Sequence, residues 1–267
     1  MSHIRAVSGI AASRVTTDAN AQAYMDLWSP AADATHITAI DDFYVGLKAD
    51  GIYTKLDEFW ILGNQHEQCG LLGGKLLKNC TNVNAAAFVA DRGFTGAATK
   101  YLNTNFVPSV DGVNFTQNDA SFGIYCRTEG AEARGSGINA GANINRTYVY
   151  PRYTGDIAYF SINQPAAGEF SYATTTSLGL WVVRRTASNA VQAYRNGSQV
   201  ATSTGASDGR AAYAIRILTI PTDDTPGLID TRQHSFAFIG ASLSATEQAN
   251  LFTRIETLGD ALGWGVI

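Results

Sequence analysis

The sequence contains few charged residues, few prolines and few cysteines. Only 16% of its 267 residues are Asp, Glu, Lys or Arg, against ~25% in an average globular chain. Intrinsic disorder is excluded, because disordered chains are rich in charge and poor in aromatics, whereas this one has 12 Tyr, 12 Phe and 4 Trp. With no apolar run near the ~18 residues of a membrane span, we expect no membrane insertion. A net charge of −4 argues against nucleic-acid binding, which depends on positive charge.

The cysteine pattern and the N-terminus both favour a reducing compartment. Cys69, Cys80 and Cys126 are odd in number, widely spaced and without a CxxC motif, so we expect no disulfide framework. The first ten residues lack the 7–15-residue apolar core of a signal peptide. The sequence therefore predicts synthesis in the cytoplasm.

The first part of the chain has helical periodicity. Asp18 is placed to cap a helix that carries Ala21, Met25 and Trp28 on one face. A second helix is predicted from about residue 35 to 49, and the same spacing continues from Ile52 through Trp60. One apolar stripe runs along these segments: Ile37, Ile40, Tyr44, Leu47, Ile52 and Leu56. Such a stripe must be covered, either by another copy of the chain or by the rest of the same chain.

From about residue 85 the sequence pattern changes to one that is typical of short strands and turns. Strands are predicted at 120–126, 147–150, 156–162, 178–183 and 213–220. Asn196-Gly197 supplies the positive φ angles of a two-residue hairpin turn between 191 and 202. Many short strands without intervening helices predict a mainly β, antiparallel sandwich. The chain then closes with a helix, where Ser244 and Glu247 form a capping box.

The order of these last features resembles that of laminin-G-like domains. The hairpin "YRNGSQVA", the strand "FAFIGASLS" and the helix "ATEQANLFTRIETL" follow one another as they do in that family. Laminin-G-like domains belong to the concanavalin-A-like lectin/glucanase jelly-roll sandwiches. The resemblance implies two regions: a helical attachment or oligomerisation region at 1–80 and a lectin-like sandwich at 81–267.

Upstream of the hairpin, the chain resembles proteins of tailed-phage and prophage structural modules. The segments "GLKADGIYTKLDEFWIL", "FVADRGFTGAATKYLNTNFVPS" and "NFTQNDASFGIYCRT" carry this resemblance. It implies a virion surface protein (a tail fibre, spike or head-attached fibre) made in the bacterial cytoplasm. Such proteins contact other virion proteins and are usually homo-oligomers, often trimers.

No enzymatic motif is found. Retaining glycosidases of the sandwich superfamily present Glu-x-Asp-x-Glu on one strand face, and no such triplet occurs here. The nearest carboxylate pairs, Glu129/Glu132, Asp41/Asp42 and Asp223/Asp224, lack that alternation. We therefore expect no enzyme, with a polysaccharide-degrading activity as the weakest of three alternatives.

We expect no cofactor, and calcium is the one metal left open. Laminin-G-like domains often bind calcium at the rim of the sandwich through oxygen ligands. Asp111, Asn114 and Asp119 are oxygen donors close together in sequence. Asp111-Gly112, however, is also an ordinary turn pair.

The segment from 127 to 153 has the composition of a glycan-binding surface. Sugars are bound by aromatic faces flanked by groups that hydrogen-bond to hydroxyls. The candidate residues are Arg127, Glu129, Arg134, Asn143, Asn145, Tyr148, Arg152 and Tyr153. Tyr148 and Tyr150 are two apart and should share a face of the sheet, which could instead be core or a subunit contact. Two hypotheses follow: a receptor binder that contacts a host-surface glycan, or a purely architectural virion protein without a ligand.

Overall fold

Five α-helices occur in the part of the chain that the computed structural model describes, residues 18–131, 135–140, 144–227 and 229–267. They are α1 Ala19–Met25, α2 Ala34–Ala49, α3 Glu67–Gly70, α4 Pro108–Asp111 and α5 Ala245–Leu262. Asp18 caps α1 by accepting the N–H groups of Asn20 and Ala21, as predicted. The Ser244–Glu247 capping box is present in α5, which ends at Gly263 in the left-handed conformation. None of the described helices is both long and apolar enough to span a membrane.

The strands form two antiparallel sheets, named here sheet A and sheet B. Sheet A has the order β13-β12-β11-β6-β15-β4-β3, with β1 paired to β15. Its strands are β1 Leu56–Ile61, β3 Ala87–Val89, β4 Gly93–Thr95, β6 Ala120–Cys126, β11 Gly179–Ala187, β12 Ala190–Arg195, β13 Ser198–Ser203 and β15 Gln233–Gly240. Sheet B has the order β10-β9-β8-β7-β14-β5-β2. Its strands are β2 Thr81–Val83, β5 Tyr101–Asn103, β7 Ser136–Ala140, β8 Ile144–Tyr153, β9 Ile157–Gln164, β10 Phe170–Ala173 and β14 Arg216–Ile217.

The main hydrophobic core lies between the two sheets. Phe122 and Ile124 of β6 pack in one cluster with Val149 of β8 and Phe160 of β9, and all four side chains are fully buried. The predicted face of β6 therefore points into this core. The fold is a mainly β sandwich, as predicted, while its jelly-roll connectivity stays a prediction.

Helices cover the outer face of sheet A. Tyr125 of β6 and Phe236 of β15 point away from the sandwich core and pack with Leu47 of α2 and Leu251 of α5 in a second hydrophobic cluster. Gly46 lets the two helices approach closely, since a Cβ there would lie 2.6 Å from Cδ of Arg254. Strands β1, β6 and β15 of sheet A are consequently buried on both faces.

The apolar stripe proposed for oligomerisation belongs to this second cluster. Its members Ile40, Tyr44, Leu47, Ile52 and Leu56 have no exposed surface, and Ile37 is partly buried against the same cluster. The stripe is therefore covered by its own chain, which was the alternative to self-association. Because these side chains already have partners, they do not supply an exposed surface for another copy.

The predicted continuation of the helix from Ile52 through Trp60 is wrong. Residues 56–61 form β1, which pairs with β15 and whose six residues are all buried. Both faces of β1 are buried, and its large apolar residues do not alternate, so their spacing resembled a helical stripe. Segment 18–80 thus shares a sheet and a hydrophobic cluster with the rest of the chain. The division into 1–80 and 81–267 stays a prediction.

Other sequence predictions agree more closely with the structure. The hairpin forms from β12 and β13, and Asn196 and Gly197 both have positive φ. The strand predicted at 213–220 is reduced to the two residues of β14. The three cysteines are buried and free.

Two consecutive carboxylates of β1 hold two loops by their backbone. Asp57 accepts hydrogen bonds from the N–H groups of Asn114 (2.8 Å) and Phe115 (2.7 Å). Glu58 accepts four, from the N–H groups of Phe59, Lys75, Leu76 and Lys78 at 2.7–3.0 Å. Both side chains are buried, and hydrogen bonds from backbone N–H groups replace the water that would otherwise hydrate their oxygens.

Candidate functional site

The outer face of sheet B carries a group of partly exposed tyrosines. Along β8, Val149 points into the sandwich core, so its neighbours Tyr148 and Tyr150 point outward. Their rings lie 5.2 Å apart at 83°, which confirms that they share a face. Tyr159 of β9 is paired directly with Tyr150 and joins them.

The rings of Tyr150, Tyr153 and Tyr159 line a shallow depression, which we call the tyrosine pocket. Its lining residues are Tyr150, Tyr153, Tyr159 and Glu169, and its volume is about 230 Å³. The ring centroids are 6.1 Å apart for Tyr150–Tyr153, 6.3 Å for Tyr150–Tyr159 and 5.5 Å for Tyr153–Tyr159. The three interplanar angles lie between 82° and 90°. The rings therefore stand as three mutually perpendicular walls.

A break in the strand register positions Tyr153. Tyr150 and Tyr153 are three apart, an odd spacing that would place them on opposite faces of a regular strand. The pairing of β8 with β9 shifts between these two residues. Such a shift re-aims the side chains that follow it, and here it returns Tyr153 to the outer face.

Glu169 supplies negative charge at the pocket wall. Its Oε2 accepts a hydrogen bond from the Tyr148 hydroxyl and lies 3.8 Å from Nη1 of Arg146. Burial and the Glu169 carboxylate together raise the pKa of Tyr148. Tyr148 is itself only 2% exposed, so its hydroxyl positions Glu169 while its ring stays covered.

A second group of predicted residues lies at the end of the sandwich. Arg152 donates to Asp156 at 2.7 Å and lies 3.6 Å from Glu129. Burial alone would raise the pKa of Glu129, but hydrogen bonds from Thr176 and Ser177 and the charge of Arg152 lower it. Close by, Asp156 also borders a depression of about 350 Å³ together with Tyr172, Ala173, Thr174, Thr175, Thr176 and Arg195.

The remaining candidates do not join either group. Arg127 donates to Oε1 of Gln233 at 3.0 Å. The backbone N–H of Asn145 donates to Asp208 at the far end of β8. Arg134 and Asn143 lie outside the described residues. Of the eight predicted ligand residues, the structure brings Tyr153 to the tyrosine pocket, with Tyr148 behind it, and Arg152 and Glu129 to the end of the sandwich.

Sequence reasoning missed Tyr159 and Glu169. Tyr159 lies in the strand predicted at 156–162, but the pairing of that strand with β8 had no signal in the sequence. Glu169 follows a short 3-10 helix, Ala166–Gly168, that ends next to the pocket. The clustering of tyrosines between 148 and 159 was the one available signal.

The proposed calcium ligands each have separate partners. Asp111 pairs with Lys78 at 2.7 Å, and Asn114 donates to the carbonyl groups of Thr54 and Leu56. Asp119 accepts from the N–H of Ser242. Within the described residues, no group of three or more His, Cys, Asp or Glu side chains is arranged to hold a metal ion. The expectation of no cofactor, with calcium as the alternative, stays a prediction.

One polar cluster crosses the interior. Oγ of Ser136 lies 3.2 Å from Nδ1 of His234, whose Nε2 lies 3.3 Å from Oδ2 of Asp230. Arg232 pairs with Asp230 at 2.8 Å and, with His234, lowers the pKa of that buried carboxyl against the effect of burial. Ser136, His234 and Asp230 have no exposed surface. The cluster therefore connects β7 of sheet B to β15 of sheet A rather than presenting a nucleophile to substrate.

Comparisons with known proteins show the fold. No protein-family model matches the chain, and no curated protein sequence matches it. Among solved structures, it is similar to Trypanosoma rangeli sialidase in complex with 2,3-difluorosialic acid, with a TM-score of 0.55 and 10% identity over 83% of this chain and 40% of that one. It is also similar to the receptor binding domain of botulinum neurotoxin D, with a TM-score of 0.50 and 9% identity over 74% of this chain and 52% of that one. The chain thus spans about 40% of the sialidase and about half of the toxin domain, and at these identities the likeness establishes a shared β-sandwich fold.

Proposed function

We propose that this protein is a non-catalytic saccharide-binding module on the surface of a tailed-phage particle. The observation that carries the binding role is the tyrosine pocket, where three partly exposed aromatic rings and a carboxylate line one depression. Aromatic faces pack on the apolar side of a sugar ring, and a carboxylate accepts hydrogen bonds from its hydroxyls. The neighbouring structures include a sialidase with a bound sialic acid derivative and a toxin receptor binding domain, which is in keeping with such a role.

The virion context is supported by the sequence resemblance to phage structural proteins. With it come the other expected properties: contact with other virion proteins, a homo-oligomeric state such as a trimer, and synthesis in the bacterial cytoplasm. The burial of the apolar stripe means that any oligomer would form through other surfaces. Mass spectrometry of purified particles tests the location, and light scattering tests the oligomeric state.

A glycan array with the full chain tests the binding role. The matched variants are Tyr150→Ala and Tyr159→Ala in the pocket and Tyr213→Ala as a control, since Tyr213 is exposed and does not line the pocket. Binding that is lost in both pocket variants and kept in the control supports the proposal. If no glycan binds, or if the pocket variants bind normally, the tyrosine pocket is not a saccharide site.

An exposed apolar surface favours an architectural function as the second candidate. Val110 and Val113 are each 77% exposed, and Leu76 and Leu77 are also exposed. The Lys78–Asp111 ion pair joins the segment after Leu77 to helix α4. Exposed aliphatic groups of this kind are typical of protein contacts.

The two candidates differ in the phenotype of matched variants. For a receptor binder, Tyr159→Ala should abolish adsorption to host cells while particles assemble normally. For an architectural protein, Val110→Ser with Val113→Ser should lower incorporation into particles, and Tyr159→Ala should have no effect. Reducing-sugar release from host polysaccharide by the full chain would instead favour the polysaccharide-degrading alternative.

A further inference from the structure

The tyrosine pocket has the form of an aromatic cage. A cation within about 5 Å of three mutually perpendicular ring faces requires ring centroids about 6–7 Å apart. The observed centroid separations are 5.5–6.3 Å, with interplanar angles of 82–90°. A depression of about 230 Å³ also has room for a trimethylammonium group.

The charge at the pocket wall favours a positive ligand. Glu169 is 33% exposed, and its ion pair with Arg146 is long at 3.8 Å. The hydrogen bond from Tyr148 and the approach of Arg146 both involve Oε2. Arg152, on the same strand as Tyr150 and Tyr153, is directed to Asp156 at 2.7 Å. A partly exposed carboxylate therefore lies beside the three rings.

The composition of the wall discriminates between kinds of ammonium group. A primary ammonium has three N–H donors, each of which needs an acceptor when it leaves water. A quaternary ammonium has no donors and presents methyl groups, which pack on aromatic faces while the ring quadrupole attracts the charge. Three aromatic rings and a single lining carboxylate match the second kind.

We infer that the tyrosine pocket binds a quaternary ammonium group, such as the trimethylammonium group of choline, carried as a substituent of the bound glycan. This inference rests on the proposed function, because it assigns the ligand class of the same pocket. The rings and Glu169 hold the cation, and sugar hydroxyls meet the surrounding polar groups.

The experiment is a calorimetric titration of the full chain with choline chloride. The control ligand is the neutral alcohol in which a tert-butyl group replaces the trimethylammonium group, so that shape is kept and charge is removed. We expect choline to bind with a Kd on the order of 1 mM and the neutral alcohol to bind at least about tenfold more weakly. Equal binding of the two ligands, or no binding of choline, would overturn the inference.

Variants locate the binding to the pocket. Tyr159→Ala should weaken choline binding about fivefold and Glu169→Gln about threefold, because each removes one attractive wall. Tyr213→Ala should leave it unchanged. If the pocket variants bind choline as tightly as the parent chain, the cation is held elsewhere and the inference is wrong.

Two further measurements separate this inference from the proposed function and identify the source of the ligand. Glycans without any cationic group, tested on the same array, report on saccharide binding alone: if they bind through the pocket and choline does not, only the cation inference fails. Phosphocholine on a soluble carrier and phosphatidylcholine vesicles distinguish a glycan substituent from a lipid headgroup. Binding of the vesicles but not the carrier would contradict the glycan assignment.

Discussion

The outer faces of the two sheets use aromatic residues in opposite ways. On sheet A, Phe59 and Phe236 are covered by Phe43 and Tyr44 of α2, with ring centroids 5.4–6.1 Å apart and no ring more than 2% exposed. On sheet B, the rings of the tyrosine pocket have similar separations but remain partly exposed.

The exposure of the rings differs because helices cover one face and not the other, while the distances between the rings are similar. Helices α2 and α5 exclude water from the rings on sheet A, so those rings contribute their full area to stability. The rings on sheet B keep one side in contact with water, and a ligand can cover that side. The comparison predicts that one face determines stability and the other determines binding.

The largest effect on stability is expected from removing an aromatic ring on the covered face of sheet A. Phe59→Ala should lower the free energy of unfolding by about 3–5 kcal/mol, because it leaves a cavity between β1 and α2. Urea unfolding of the full chain measures this loss. A loss below about 1 kcal/mol would mean that the helices are not firmly packed on sheet A.

The pH dependence of stability comes next and also concerns sheet A. Burial raises the pKa of Glu58 to about 7, although the N–H groups of Phe59, Lys75, Leu76 and Lys78 favour its anion. A folded pKa above the unfolded value of 4.5 means that the folded chain keeps the proton to higher pH. This contribution is complete below about pH 4.5 and is lost as the pH rises through about 7, for a change of up to about 3 kcal/mol.

The variant Glu58→Gln isolates this effect, because glutamine does not titrate. The difference in unfolding free energy between the parent chain and Glu58→Gln should shift against the parent between about pH 5 and about pH 8. Urea unfolding at both pH values gives the double difference. A difference that does not change with pH would show that Glu58 titrates near its unfolded value.

A smaller effect is expected at the start of the covering helix. Ser244→Ala removes the side chain that accepts the N–H of Glu247 and should cost about 1 kcal/mol. Ser171→Ala, at an exposed position of β10 on sheet B, should change stability by less than about 0.5 kcal/mol. Thermal unfolding of both variants compares the two faces directly. Equal losses of stability in the two variants would contradict the predicted difference between the faces.

Among the aromatic positions, the smallest stability effect is expected in the tyrosine pocket. Tyr159→Ala loses the perpendicular ring contacts with Tyr150 and Tyr153 but opens no interior cavity, so its cost should stay below about 1 kcal/mol. The same variant should lose binding to the glycan array and weaken choline binding about fivefold. A destabilisation as large as that of Phe59→Ala would make the pocket part of the core.

Local patterns predicted the elements whose signals lie within a few positions of one another. The hairpin at Asn196-Gly197, strand β6 and the capped helix α5 were recognisable from their turn residues, alternation and capping box. Strand β1 was missed because its large apolar residues Leu56, Phe59 and Trp60 follow a helical spacing and do not alternate with small or polar residues.

The tyrosine pocket was only partly predictable for a different reason. Tyr148 and Tyr150 share a face by simple alternation, which the sequence alone predicts. Tyr153 reaches that face through a register shift, and Tyr159 reaches it through strand pairing. Both depend on which strands become neighbours, a property of the whole fold that a local pattern does not contain.

The two carboxylates of β1 have a consequence for how this sequence can vary. Asp57 and Glu58 accept hydrogen bonds from backbone N–H groups of the loops around 75–78 and 114–115. Any residue other than proline provides such a group, so the loop side chains are free to diverge among related proteins. The number of residues in each loop is not free, because a deletion would move the donors away from fixed acceptors. Related chains should therefore differ widely in the residue types of these loops and agree in the length of the loops.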